Sequence, residues 1–218
     1  LIRAHGTSLK VYKEAERLGY KIIDATCPMV KEIHKIAKEM EEKGYKIIII
    51  GDKLHDEVKG IVGQLKKNAL IIENEGTLPL DKLKRIKKAA VVVQSTQNLE
   101  KTARSVKALK RLIDDMKFFN TICEPTRQKQ KEIRRLPKLN DLVIVIGSKA
   151  SANTKRLYEI AGSLNKNTYW IRNEKQLRKE WFKGIDSVCV TAGASTPQET
   201  IKNTVKRIKK MGPPSLKT

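Results

Sequence analysis

The sequence predicts an α/β protein assembled from repeated lobes with parallel sheets. Three observations carry this reading. Short β-branched runs alternate with helical patterns along the chain. The runs are almost continuously apolar, as strands covered on both faces must be. The whole pattern also recurs at a fixed interval.

In chain order, Lys21–Asp24 reads as a first strand, followed by a helix over Met29–Lys43 that Gly44 stops. Strands are expected at Lys46–Ile50, Ala69–Ile72 and Ala89–Gln94. A helix over Leu99–Met116 and a strand over Phe118–Ile122 come next. The basic stretch Arg127–Lys138 reads as a solvated helix face. The strand Leu142–Ile146, the helix Ser151–Leu164, the strands Thr168–Ile171 and Ser187–Val190, and the helix Pro197–Met211 before Gly212 complete the pattern.

The repeat is seen in the residues that open its units. Asp24-Ala25-Thr26-Cys27 and Asn120-Thr121-Ile122-Cys123 each lead into a helix. From Cys27 to Gly51, and from Cys123 to Gly147, the distance is the same 24 residues, and the two Cys are 96 residues apart. Leu1–Gly6 reads as the last strand and loop of a preceding copy. That phase places a further Cys roughly 70 residues upstream, so the chain is expected to be a C-terminal portion of something longer. The expected division is 1–26 as the end of a first lobe, 27–122 as a second, 123–195 as a third, and 196–218 as a C-terminal helix and tail.

Composition bounds the function. The 218 residues carry 46 Lys+Arg against 24 Asp+Glu, a formal net charge of +22. Such a charge attracts anions, nucleic acid among them. Trp170, Trp181 and the five Tyr do not cluster with the basic runs, however, which argues against a nucleic-acid groove. No apolar run approaches the ~18 residues of a membrane span. Leu1–Gly6 does not have the charged-then-apolar pattern of a secretory leader. Three Cys are too few for a disulfide scaffold and favour a reducing cytoplasm.

The chemistry-bearing residues gather in loops that follow strands, where open parallel sheets bind ligands. His5 and His55 each sit in such a loop and could donate to an anion, whereas His34 falls inside a helix and reads as a surface histidine. Glu57 is either a proton donor or a helix-start carboxylate. Gly147–Thr154 and Thr191–Ser195 have the Gly and hydroxyl content of phosphate cradles. Cys27 and Cys123, each at a helix start, suit thiolate ligation of an iron–sulfur cluster at a junction of lobes, with one iron left open. A zinc site with His5 or His55 is the rival, unsupported by any CxxC or HxxxH spacing. Cys189 lies mid-strand and reads as core packing.

Taken together, Asp24–Pro28, Gly51 with His55–Gly60, Thr121–Cys123, Gly147–Asn153 and Thr191–Pro197 resemble the LytB/IspH family of 4-hydroxy-3-methylbut-2-enyl diphosphate reductases over essentially the whole chain. The resemblance implies a trefoil of three α/β lobes with pseudo-threefold symmetry around a 4Fe-4S cluster. It implies reductive removal of an allylic hydroxyl in the last step of the non-mevalonate isoprenoid pathway, with electrons from a donor such as ferredoxin or flavodoxin. By the same resemblance, Cys27 and Cys123 match two of three cluster ligands, the third belonging to an upstream Gly-Phe-Cys segment. His5 and His55 match substrate-binding histidines, and Glu57 the acid that relays protons. Ser95 and Thr96 fall in the loop that contacts the substrate hydroxyl, and Ser151, Asn153 and Ser195 match diphosphate-binding residues. Departures are Ser95 for a usual Thr, Ala152 for a second Ser, Asp56 for a common Pro, and Glu124-Pro125 before Thr126. The alternative reading is a non-catalytic relative that binds diphosphate or nucleic acid through its basic surface.

Overall fold

The computed structural model describes residues 1–212. It contains two parallel sheets, one in each of two compact units, Leu1–Cys123 and Glu124–Thr218. The tail at 213–218, expected after the last helix, lies outside the described residues.

In the first unit the helices α1 (Leu9–Arg17) and α2 (Pro28–Glu42) precede the strand β1 (Lys46–Ile50). Then come α3 (Asp56–Val62), β2 (Leu70–Ile72), α4 (Leu80–Leu83), β3 (Lys88–Val93), α5 (Leu99–Leu109) and β4 (Asp115–Phe118). The sheet order is β2-β1-β3-β4, all parallel, and Ile50 lies level with both Ile72 and Val93. The carboxyl ends of the three strands are therefore flush, which brings their following loops to one edge. The alternation of a strand sends neighbours to opposite faces. Ile47 and Ile49 pack with Ala90 and Val92 under Ile33, Ala37, Val58 and Ile61 of α2 and α3. Ile48 and Ile50 pack with Val91 and Val93 under Val106 and Leu109 of α5.

The second unit repeats the plan. It runs α6 (Glu124–Arg135), β5 (Leu142–Ile146), α7 (Ala152–Leu164), β6 (Thr168–Ile171), β7 (Val188–Ala192) and α8 (Gln198–Met211). Its sheet is β6-β5-β7, with Ile146 level with Ile171 and Ala192. Val143 and Val145 face Ile133, Leu157 and Ile160 of α6 and α7, while Leu142, Ile144 and Ile146 face Ile208 of α8.

Five expectations are corrected. Lys21–Asp24 is no strand: a single parallel bridge joins Asp24 to Ile2, framed by the Ile2 N–H to Ile23 carbonyl and Ala25 N–H to Ile2 carbonyl bonds. The helix read over Leu99–Met116 ends at Leu109, and the strand read over Phe118–Ile122 lies at Asp115–Phe118 instead. Leu109, Leu112, Ile113 and Met116 all pack into one core, so helical spacing runs on through a turn that the backbone does not follow as helix. The basic stretch Arg127–Lys138 is not wholly solvated, since α6 buries Thr126, Gln130 and Ile133 along one stripe. His34 is 7% exposed and belongs to the interior. The short α3 and α4, and α1, which buries none of its residues, went unread in the sequence.

Candidate functional site

The first unit ties most of the singled-out residues into one bonded circuit. Cys27 is the residue before α2, whose Pro28 occupies the first helical position, where its absent N–H costs nothing. The Cys27 N–H donates to the Ala4 carbonyl at 3.0 Å, fixing the residue next to His5. The His5 ring meets the His55 ring edge-on, with centroids 5.0 Å apart and planes at 69°. His55 in turn caps α3, its Nδ1 accepting the Glu57 N–H at 3.2 Å. With Nδ1 used as an acceptor, a neutral His55 carries its proton on Nε2 and so presents a donor there. The sequence reading takes His55 for an anion donor and not a cap; the cap on α3 corrects the second part of that expectation.

Glu57 is 1% exposed. Its Oε1 accepts the Ser95 N–H at 2.6 Å, and its Oε2 lies 2.7 Å from Ser95 Oγ. A carboxyl buried to this extent needs such partners, because an unbonded one would carry the full desolvation cost. Oε1 is committed as an acceptor, so a proton held by Glu57 resides on Oε2, facing the Ser95 hydroxyl. The Ser95 carbonyl closes the circuit by accepting the Cys123 N–H at 3.0 Å. The two cysteines are hung alike, each by its N–H from the loop that carries the neighbouring candidate residues.

Two residues that the sequence reading passed over hold this loop. Gln94 is fully buried; its Oε1 accepts the Asp52 N–H at 2.9 Å and its Nε2 donates to Thr96 Oγ1 at 3.1 Å. Thr121 Oγ1 bonds both the N–H and the carbonyl of Val93, continuing the sheet edge past the end of β4. The available signal for Gln94 was a polar residue closing the apolar run Val91-Val92-Val93.

In the second unit, Ser151 Oγ caps α7 by accepting the Thr154 N–H. Asn153 is 5% exposed, and neither its Oδ1 nor its Nδ2 has a hydrogen-bond partner among the described residues. Ser195 is exposed in the turn after β7. Gly147 sits at φ +151°, where an added Cβ would meet Thr154 Oγ1 at 2.6 Å. The loop it opens is fastened by Trp170, which donates from Nε1 to the Gly147 carbonyl at 2.9 Å and carries Lys149 Nζ 3.9 Å from its ring centroid.

No disulfide joins the three cysteines. Burial pushes the Cys189 thiol up to about 11, as befits a residue packed among Val143, Val145 and Ile160. It is a poor ligand. Cys27 and Cys123 are half-buried and supply the soft donors that iron–sulfur clusters use. Among the described residues no group of three His, Cys, Asp or Glu gathers as a metal site, and none of the helices is long and apolar enough to cross a membrane.

A parallel α/β fold, thiols at equivalent helix starts and a buried acid locked to a hydroxyl define a protein built like a metabolic enzyme rather than a binding scaffold. The model of the LytB protein family matches residues 1–209, and the chain belongs to that family. Among its relatives, the 4-hydroxy-3-methylbut-2-enyl diphosphate reductase of Campylobacter lari is 38% identical over 209 residues, spanning 96% of this chain and 74% of the relative. That of Aquifex aeolicus is 36% identical over 212 residues, spanning 97% and 73%. A solved structure of (E)-4-hydroxy-3-methyl-but-2-enyl diphosphate reductase, the terminal enzyme of the non-mevalonate pathway, is 36% identical with a TM-score of 0.65, over 96% of this chain and 75% of that one. The Plasmodium falciparum reductase structure is 28% identical with a TM-score of 0.87, over 98% and 68%.

Proposed function

We propose that this chain carries out the reductive dehydroxylation of 4-hydroxy-3-methylbut-2-enyl diphosphate, with Glu57 as the proton donor. The family membership and the named relatives support the reaction. The observation that carries the assignment of roles is the buried Glu57–Ser95 pair, bonded at both carboxyl oxygens. In the overall change the allylic C–O bond breaks, the hydroxyl leaves as water, and two electrons and two protons are consumed to give isopentenyl or dimethylallyl diphosphate.

The residues do the following. Glu57 Oε2 holds a proton and passes it through Ser95 Oγ toward the leaving hydroxyl, with Thr96 Oγ1 beside it under the hold of Gln94. His5 and His55 donate to diphosphate oxygen, His55 from Nε2. The second unit offers donors of its own: Ser151, Ser195 and Asn153, whose buried Nδ2 is a donor that a bound anion would satisfy. Cys27 and Cys123 would hold an iron–sulfur cluster, which we read as 4Fe-4S. When bound, that group supplies electrons and a Lewis-acid iron for the substrate hydroxyl. The reductant is a one-electron protein donor of the ferredoxin or flavodoxin class. Unpaired thiol chemistry of this kind belongs in the reducing cytoplasm.

The test is anaerobic reconstitution of the protein with iron and sulfide, followed by assay with substrate and a chemical reductant. Isopentenyl and dimethylallyl diphosphate are the expected products, and Cys27→Ser and Cys123→Ser should each lower bound iron. Full iron loading without product would leave the binding-only alternative in possession.

A further inference from the structure

His34 has no part in the chemistry above, yet it is 7% exposed and its Nε2 has no hydrogen-bond partner among the described residues. What its ring touches is the turn that follows His5. Gly6 has φ +71°, and a Cβ built there would lie 2.7 Å from His34 Cε1, 3.3 Å from Nε2 and 3.3 Å from the Thr26 methyl. From the other side, Gly60 of α3 comes so near that its Cβ would sit 3.2 Å from the His5 carbonyl. The turn is therefore wedged between α2, which follows Cys27, and α3, which follows His55. A ring in van der Waals contact on one side and a bare backbone on the other leave the turn a single resting place.

We propose that His34 is a positioning residue for His5: its ring is the seat that holds the His5–Gly6 turn and sets the His5 ring edge-on to His55. It acts by shape, because Nε2 has no hydrogen-bond partner among the described residues and the ring atom that a Cβ at Gly6 would meet first is a carbon. A flat ring of similar size should therefore serve in its place, and a small side chain should not. The inference rests on the reading of His5 as a diphosphate donor only for its functional consequence; the placement of His5 stands by itself.

This 218-residue chain has three histidines, so ring-selective NMR of the histidine-labelled chain gives one signal set per residue. In His34→Ala the His5 and His55 ring signals should both move, and affinity for inorganic pyrophosphate should fall roughly tenfold, as expected for one weakened hydrogen bond to a charged group. In His34→Phe both signals should stay close to wild type and affinity should be restored to within about threefold. Unmoved His5 and His55 signals in a folded His34→Ala protein would overturn the proposal, as would a His34→Phe protein as weak as the Ala variant. Should His34→Ala not fold, Gly6→Ala probes the same contact from the turn, and unmoved ring signals there would overturn it equally. If wild type binds no pyrophosphate while the ring signals move as described, the positioning role holds and the diphosphate reading of His5 fails.

Discussion

The local arrangement at His34 has a consequence for stability. Burial, with help from Lys38 and against the pull of Asp24, lowers its pKa from 6.5 to about 4. The unfolded chain therefore binds a proton between these values that the folded chain refuses. Stability attributable to His34 is complete above about pH 6.5 and is lost as pH falls toward 4, at most about 3 kcal/mol in total. Urea midpoints measured across this interval should fall on acidification in wild type and fall less in His34→Phe; equal slopes would contradict the assignment. Asn153 makes the complementary case. Because neither amide atom has a partner, Asn153→Leu should leave stability within about 1 kcal/mol or raise it, while weakening pyrophosphate binding. A loss well beyond about 2 kcal/mol by urea unfolding would mean that the amide is satisfied within the fold. His55, Glu57, Cys27 and Cys123 could be singled out from sequence because spacing and loop position marked them. The roles of Gln94 and Thr121 were harder to read, since their work is done through backbone atoms of Asp52 and Val93 that are far away in sequence.

Among the elements, the strands were the most legible. Lys46–Ile50 and Leu142–Ile146 are apolar β-branched runs, and nothing but a covered central strand can bury them on both faces. Edges were harder to read. Asp115–Phe118 alternates exposed and half-buried residues, so its charge masked a strand whose partner, Lys88–Val91, is remote. The short α3 has only seven residues and owes its start to the His55 cap, a cap type that composition rules do not flag. Gly147, expected in a phosphate cradle, has a backbone angle that residues with a Cβ rarely adopt. Gly147→Ala should cost roughly 1–3 kcal/mol, from the backbone angle and from the collision with Thr154. Thermal unfolding of that variant checks it; an unchanged midpoint would show that the loop accommodates a side chain.

For the molecule as a whole, the repeat proved more informative than the charge. Equal spacing from each Cys to its Gly corresponds to two parallel sheets of the same design, each with a flush carboxyl edge and glycine or hydroxyl loops beyond it. The net charge of +22 is spread over exposed Lys and Arg and finds no structural explanation in the site. The chain spans about three quarters of the length of the relatives cited, 74% and 73%. In the proposed function, fold and reaction are joined by the contacts that run from Cys27 through His5, His55 and Glu57 to Ser95 and Cys123. Its central member is the buried carboxyl. The most direct measurement is the initial rate of substrate reduction by Glu57→Gln against wild type, both reconstituted to equal iron content. The account predicts a rate lower by about 10²–10⁴, the contribution of a positioned general acid, with iron binding unchanged; a Glu57→Gln protein turning over at the wild-type rate would contradict it.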